Sequence, residues 1–379
     1  MVSSVKIATV HETRPHERRV ALVPGQVSRL TEAGLQVAVE PDAGRAAGFT
    51  DNDYRDAGAE ITEDALAGAG AVLSVQPLTA RQVRALAPHA ITVSFLPATQ
   101  ELELVAALRD AGATSLAMEL VPRISRAQPM DALSSQSFVA GYRAALLAAE
   151  RLPRFLPLSM TASGTIPPAR VLVLGAGVAG LQAIATARRL GAVVRAYDVR
   201  AASADEVRSL GADFIELELP ALEGSGGYAR EMTDERSRLQ RELLAPHVAD
   251  ADVLITTASV PGRTAPLLVT AEMVAGMRHG SVVVDLAAEG GGNVEGVKPG
   301  EEVTIGSATV IGGQNVPSQL PGQASQLYSA NVVNLLLLLR SGDYLVPDFE
   351  DEIVAGCCVT HGGEVRHGPT KDLLAAGPR

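Results

Sequence analysis

Tryptophan is absent from the 379-residue chain, and aromatic residues together make up only 3% of it. The core must therefore be built from Ala, Val, Leu and Ile, which suits parallel strands covered by Ala-rich helices. The two cysteines, Cys357 and Cys358, are adjacent. Neighbouring thiols rarely pair with each other and two ligands do not make a zinc site, so neither a disulfide framework nor a metal centre is expected. No long basic run occurs and the net charge is -11, which argues against nucleic acid or anionic lipid as a direct partner. The longest unbroken apolar stretch near the C-terminus, Leu335 to Leu339, falls far short of the roughly 20 residues that a membrane span needs. Val2 to Val10 reads as a short strand with Lys6 inside it, not as a leader. A soluble, cytoplasmic protein without direct membrane insertion is the expectation. His16, His89, His247, His279 and His367 are scattered without ligand spacing.

With 47% hydrophobic residues over this length, the chain can bury two cores of ordinary size. In the N-terminal third, Val5–Val10, Gln36–Val39, Ala71–Val75 and Ile91–Phe95 read as strands, with helices at Pro24–Ala33 and Arg81–Leu86 between them. Such alternation implies parallel order. A helical, Ala-rich stretch runs from Ser134 to about Leu152. Pro157, Gly164, Pro167 and Pro168 then mark a loop. Further strands are expected at Val171–Leu174, Val193–Tyr197, Val253–Thr256, Val282–Asp285 and Thr309–Ile311, and one long helix over Gln323–Arg340. A long helix at each edge of the second unit suggests that the chain leaves the first domain and returns to it. The expected fold is α/β, with two Rossmann-like parallel-sheet domains, the second inserted into the first. Residues 1–133, completed by 318–379, would form one domain, and 134–317 the nucleotide-binding other.

The run Val171 to Leu174 leads at once into Gly175-Ala-Gly-Val-Ala-Gly180 and then into the helical stretch Leu181 to Leu190. Glycines there permit a tight turn, close approach of backbone to a pyrophosphate and tight helix–strand packing, while the helix start offers free N–H groups and a positive dipole end. A bare match to this pattern is weak in a glycine-rich chain; the strand before it and the helix after it give it weight. The next strand ends in Tyr197-Asp198, and an acid at that place takes a ribose 2′-hydroxyl and repels a 2′-phosphate. Gly175, Gly177, Val178 and Gly180 are thus the candidate pyrophosphate cradle. Asp198, with Val199 and Arg200 beside it, is the candidate ribose site, favouring NAD(H) over NADP(H).

Thr161-Ala-Ser-Gly-Thr-Ile-Pro-Pro-Ala-Arg170 ahead of the glycine turn is similar to the alanine dehydrogenase and transhydrogenase α-subunit superfamily. So are Glu17-Arg-Arg-Val-Ala-Leu22, Gly313-Gln-Asn-Val-Pro-Ser318 and Gly356-Cys-Cys-Val-Thr-His361. The segment from Pro122 to Ser137 resembles the Arg/Gln/Asp loop of the soluble domain I of proton-translocating transhydrogenases. That resemblance implies that Arg123, Gln128, Asp131 and Ser134 contact the nicotinamide and nearby ribose, on a flexible polar loop that Pro129 would stiffen. Gly224 to Met232 resembles the mobile loop of the same domain, which implies nucleotide contacts from Gly227, Tyr228 and Met232, with Gln240 and Ser259 as further contacts.

Within this superfamily, alanine dehydrogenases place a lysine and a histidine in the N-terminal domain as general acids, because reduction of an oxo or imino acid consumes a proton. The chain has only three lysines, Lys6, Lys298 and Lys371, and carries Gln76 and Pro97 where the family's lysine and histidine would fall. Arg19, which in the dehydrogenases grips a carboxylate, is read as structural. Hydride transfer between two nicotinamides needs no proton donor, only a near-attack geometry with water excluded. The expectation is therefore a transhydrogenase α subunit that binds NAD(H) and docks, by the surface around its nucleotide cleft, on membrane-embedded partner subunits that hold NADP(H). It would be peripheral to the membrane, and the resemblance adds a homodimer. The competing readings are an NAD-dependent alanine-type dehydrogenase with altered catalytic groups and a non-catalytic NADH-binding regulator.

Overall fold

The structure is a computed structural model that describes residues 5–218, 234–259 and 264–376. Two compact units divide the chain, Met1–Gln136 with Pro317–Arg379, and Ser137–Val316. Both are α/β, and the second interrupts the sequence of the first. The chain passes from one to the other within the helix Ala132–Arg151 and returns just ahead of the helix Pro321–Leu338.

The first unit is built on an eight-stranded sheet. From one edge the order is Glu364–Val365, Cys358–His361, Thr114–Ala117, Ile91–Ser94, Ala71–Leu73, Lys6–Thr9, Gln36–Val39 and Glu60–Ile61. The six strands from the first 136 residues pair in parallel. Parallel order alone does not describe the sheet, however. Cys358–His361 joins antiparallel to Thr114–Ala117, and Glu364–Val365 folds back on it. The C-terminal tail thus covers an edge that would otherwise be open. Strand order reverses between Lys6–Thr9 and Ala71–Leu73, the kind of switch point where open α/β sheets form crevices.

Both faces of this sheet are covered, which explains why its central strands are buried at nearly every position. On one face lies Pro321–Leu338, begun by Pro321 in its first turn and buried at Tyr328, Val332, Val333, Leu335 and Leu336. Its hydroxyls also serve the buried segment from Arg19 to Val23. Val20 N–H donates to Ser325 Oγ at 3.0 Å and Val23 N–H to Ser329 Oγ at 3.1 Å. A non-helical, non-strand segment can be buried only when its amides find such partners.

The second unit has seven strands in the order Asp213–Phe214, Val193–Tyr197, Arg170–Leu174, Val253–Thr256, Val282–Asp285, Ala308–Gly312 and Glu302–Ile305. The first six are parallel in the 3-2-1-4-5-6 order of a dinucleotide-binding fold. Glu302–Ile305 adds an antiparallel edge. The stretch read as a loop around Gly164 is instead a hairpin, Ser159–Thr161 with Gly164–Ile166, and Gly164 takes a φ of +134° in its turn. Among the described residues no helix is long and apolar enough to cross a membrane.

Candidate functional site

In the second unit the strand Arg170–Leu174 ends on Gly175, whose φ of +103° lies where L side chains are strained. A Cβ on Gly175 would come within 2.5 Å of Thr257 Oγ1, and one on Gly180 within 1.8 Å of the Gly175 carbonyl oxygen. Both glycines are therefore required by close packing of turn, helix and neighbouring strand end. Gly177 differs from them. It is the N-cap of the helix Val178–Arg189, has no side-chain cap and faces open space for 4 Å around a would-be Cβ. The first-turn N–H groups of that helix thus remain accessible beside a backbone stripped of side chain, and Val178 is exposed. This combination fits an anionic pyrophosphate.

Asp198 stands at the end of the adjacent strand, as the sequence indicates. Its carboxylate is held by the protein itself: Ala176 N–H donates at 2.7 Å, Arg200 N–H at 2.8 Å, and Arg200 Nε and Nη2 at 3.0 and 3.1 Å. Burial works against the charged form, but the Arg200 side chain and the two amides outweigh it and keep the group below the usual carboxylate range. A ribose hydroxyl reaching Asp198 must share it with Arg200 or displace that guanidinium, which is about half exposed. Val199 is exposed beside them. Because Arg200 is neutralised by Asp198, the pair offers no spare positive charge to a 2′-phosphate.

Gln240 and Ser259 are placed differently. Ser259 is exposed, three residues past Thr256. Gln240 is buried beside Tyr197. Gly227, Tyr228 and Met232 lie outside the described residues. Gly141 escaped the sequence reading: its missing Cβ lets the helix Ala132–Arg151 approach the Ala179 carbonyl, which a Cβ would meet at 2.0 Å. A mid-helix glycine carries no local signal of such a contact.

In the first unit, the segment read as a flexible polar loop is a short 3-10 helix, Ser125–Met130, with Ala127 and Met130 buried. The Pro129 carbonyl accepts hydrogen bonds from Asn331 Nδ2 at 2.8 Å and Asn334 Nδ2 at 3.0 Å, which ties the segment to Pro321–Leu338. Arg123 and Gln128 are exposed. Asp131 and Ser134 bond to each other, Ser134 N–H and Oγ donating to the carboxylate at 2.8 and 2.6 Å. That geometry caps the start of Ala132–Arg151.

The same unit holds a buried ion pair. Arg19 is 4% exposed. It forks onto Glu17, with Nε to Oε1 at 2.8 Å and Nη2 to Oε2 at 2.7 Å, and its Nη1 donates to Gln136 at 2.9 Å. Gln76 Nε2 donates to Glu17 Oε2 at 2.7 Å and Ser318 Oγ to Oε1 at 3.1 Å. Burial opposes the charged Glu17 carboxylate, yet the Arg19 fork and the Gln76 amide hold its pKa at about 2. At the switch point, Glu12 accepts the N–H groups of Val75 and Gln76. Burial pushes its pKa up to about 8; the two amides oppose the shift only partly, and nearby Glu17 adds to it. Glu12 was not singled out in the sequence, because nothing local to residue 12 reveals a partner 63 residues on.

The model for the N-terminal domain of the alanine dehydrogenase/PNT family matches residues 8–140, and that for its C-terminal domain matches residues 144–368. An NAD(P) transhydrogenase subunit alpha chain of Rhodospirillum rubrum is 46% identical over 376 residues, 96% of this chain and 98% of that protein. Alanine dehydrogenase of Mycobacterium tuberculosis is 33% identical over 301 residues, 78% of this chain and 76% of that one. The crystal structure of transhydrogenase from Sinorhizobium meliloti, 41% identical, matches with a TM-score of 0.85 over 96% of this chain and 99% of its own. An L-alanine dehydrogenase structure, 26% identical, gives 0.83 over 98% and 99%. Glycine turn, strand order and whole-length similarity agree: this chain belongs to the alanine dehydrogenase/PNT family.

Proposed function

We propose that this chain is the NAD(H)-binding α subunit of a proton-translocating transhydrogenase and takes part in direct hydride transfer to NADP⁺ held by a partner subunit. NAD(H) bound here would supply the hydride. The chain's residues bind, orient and exclude water. The first-turn amides after Gly177 take the pyrophosphate, Asp198 a ribose hydroxyl, and Gly175 and Gly180 keep the turn tight enough for both. Arg123, Gln128, Asp131 and Ser134 are proposed as nicotinamide contacts on the family resemblance, with Gln240 and Ser259 as further nucleotide contacts.

The observation that carries the choice of reaction is the bonding of Arg19. An enzyme that reduces an organic acid needs a cation for the carboxylate, and here that guanidinium is committed to Glu17 and Gln136. A small oxo acid would have to displace a buried carboxylate to reach it. The R. rubrum relative carries the name of a subunit, and a membrane partner with its own NADP(H) site, with this chain peripheral to it, follows from the proposal. A homodimer is part of it too. The hairpin Ser159–Thr161/Gly164–Ile166 forms a two-stranded sheet of its own among the described residues and leaves Met160 77% exposed, close in sequence to exposed Phe155 and Leu158.

One observation favours the alternative, an alanine-type dehydrogenase: Glu12, protonated at neutral pH, is an acid at a switch point. Rapid mixing separates the readings. Hydride should pass from NADH to an NADP analogue once an NADP(H)-binding partner domain is added, with no oxidation of L-alanine by NAD⁺. No reduction of the analogue would end the proposal, and alanine turnover would install the alternative.

A further inference from the structure

The glycine turn of the second unit rests against the segment that follows the strand Val253–Thr256. Thr257 Oγ1 donates to the Gly175 carbonyl at 3.1 Å, and the would-be Cβ of Gly175 lies 3.1 Å from Ala258 N. Thr257 and Ala258 thus wall the turn on one side. Neither belongs to a strand or helix; the Thr257 N–H is held by the Leu174 carbonyl at 2.9 Å, and something else must hold Ala258.

A side chain from a distant part of the sequence does. Asn293 is fully buried. Its Oδ1 accepts from Ala258 N–H at 3.0 Å, and its Nδ2 donates to the Ala258 carbonyl at 2.8 Å and to the Pro266 carbonyl at 2.8 Å. The carboxamide thereby clasps both polar groups of one residue, as a neighbouring strand would, and ties a second point of the same connection. Asn293 is itself held by buried Asp285 at the end of Val282–Asp285, which accepts from Asn293 N–H at 2.7 Å, Val294 N–H at 3.0 Å and Ala287 N–H at 2.8 Å. A chain of contacts thus runs from Asp285 through Asn293 and Ala258 to Gly175.

We propose that Asn293 is a positioning residue for dinucleotide binding, acting on the nicotinamide half by fixing 257–259 against the glycine turn. The proposal rests on the NAD(H) site described above. The strands Arg170–Leu174, Val193–Tyr197 and Asp213–Phe214 form the half that holds the adenosine, with Asp198 at its edge. The strands Val253–Thr256, Val282–Asp285 and Ala308–Gly312 form the other mononucleotide half. Ala258 and Ser259 lie at the end of the first strand of that second half. Loosening them should therefore cost the dinucleotide more than its adenosine part.

The test is a pair of titrations on the full chain, NADH by its fluorescence and ADP by calorimetry, with wild type, Asn293→Ala and Asn293→Ser. Asn293→Ala leaves three backbone groups without partners, and an approximately tenfold rise in Kd for NADH is expected, with ADP within about twofold of wild type. Asn293→Ser, which keeps one hydrogen-bonding group, should fall between, and it carries the test if the alanine variant does not fold. A folded variant that binds NADH as wild type does, or one that weakens NADH and ADP equally, overturns the inference. Wild type failing to bind NADH while binding ADP would overturn the nucleotide site reading first, and this inference with it.

Discussion

Replacing Arg19 by Met tests whether its guanidinium is a structural counter-ion or an available anion receptor. In the folded chain Glu17 sits near pKa 2, against an ordinary 4.5. A depressed carboxylate contributes stability that is fully present above the unfolded value and is lost as pH falls through the folded one. The gap of about 2.5 units corresponds to roughly 3 kcal/mol. Removing one partner of a buried, hydrogen-bonded pair costs about 3–5 kcal/mol, which agrees. For a unit of this size each kcal/mol moves the melting temperature by about 2–4 °C, so Arg19→Met should melt roughly 6–20 °C below wild type at pH 7. Glu17→Gln combined with Arg19→Met should recover part of that loss, since no charge is then left buried alone. The wild-type chain should lose the contribution between pH 4.5 and 2, whereas Arg19→Met should lose much less over that window. Scanning calorimetry across pH measures all of this. An Arg19→Met protein within about 1 kcal/mol of wild type would refute the reasoning and leave Arg19 free to serve a ligand.

Glu12 should behave in the opposite sense. Its folded pKa of about 8 lies above the unfolded value, so the folded chain keeps a proton that the unfolded chain gives up, and stability should fall as pH rises from 4.5 to 8. Glu12→Gln should flatten that decline, read by denaturant midpoints at pH 5 and pH 8. Asp198→Ala should raise the Kd for NADH about tenfold while leaving NADPH unchanged or tighter, measured by fluorescence titration. Gly180→Ala places a Cβ against the Gly175 carbonyl; a loss of about 1–3 kcal/mol and of nucleotide binding is expected, seen by melting and by NADH titration.

Most central strands could be read from short apolar runs ended by turn residues, because strands covered on both faces have no polar side to interrupt them; Thr114–Ala117 could not, since Thr114 and Ser115 break its apolar run although all four residues are buried. Gln36–Val39, Val193–Tyr197, Val253–Thr256 and Val282–Asp285 begin and end where their residues indicate. Edge elements could not. Glu302–Ile305 alternates exposed and half-buried positions, and Glu60–Ile61 and Glu364–Val365 are two residues each, too short for any period. In the site, the glycine turn and Asp198 were legible because strand, turn and helix are contiguous. Asn293 and Glu12 were not, since their partners lie 35 and 63 residues away and only the folded chain brings them together. Asp131 and Ser134 carry two meanings at once. Their spacing is that of a helix cap, and the structure uses it so, while the nicotinamide role comes from resemblance.

The most direct test of direct nicotinamide-to-nicotinamide transfer uses NADH deuterated at C4 on the transferred face, with this chain, an NADP(H)-binding partner domain and NADP⁺. The label should arrive in NADPH without exchange with water, and NAD⁺ with L-alanine should give no NADH. Solvent hydrogen in the NADPH, or alanine oxidation by this chain with no second protein present, would contradict it.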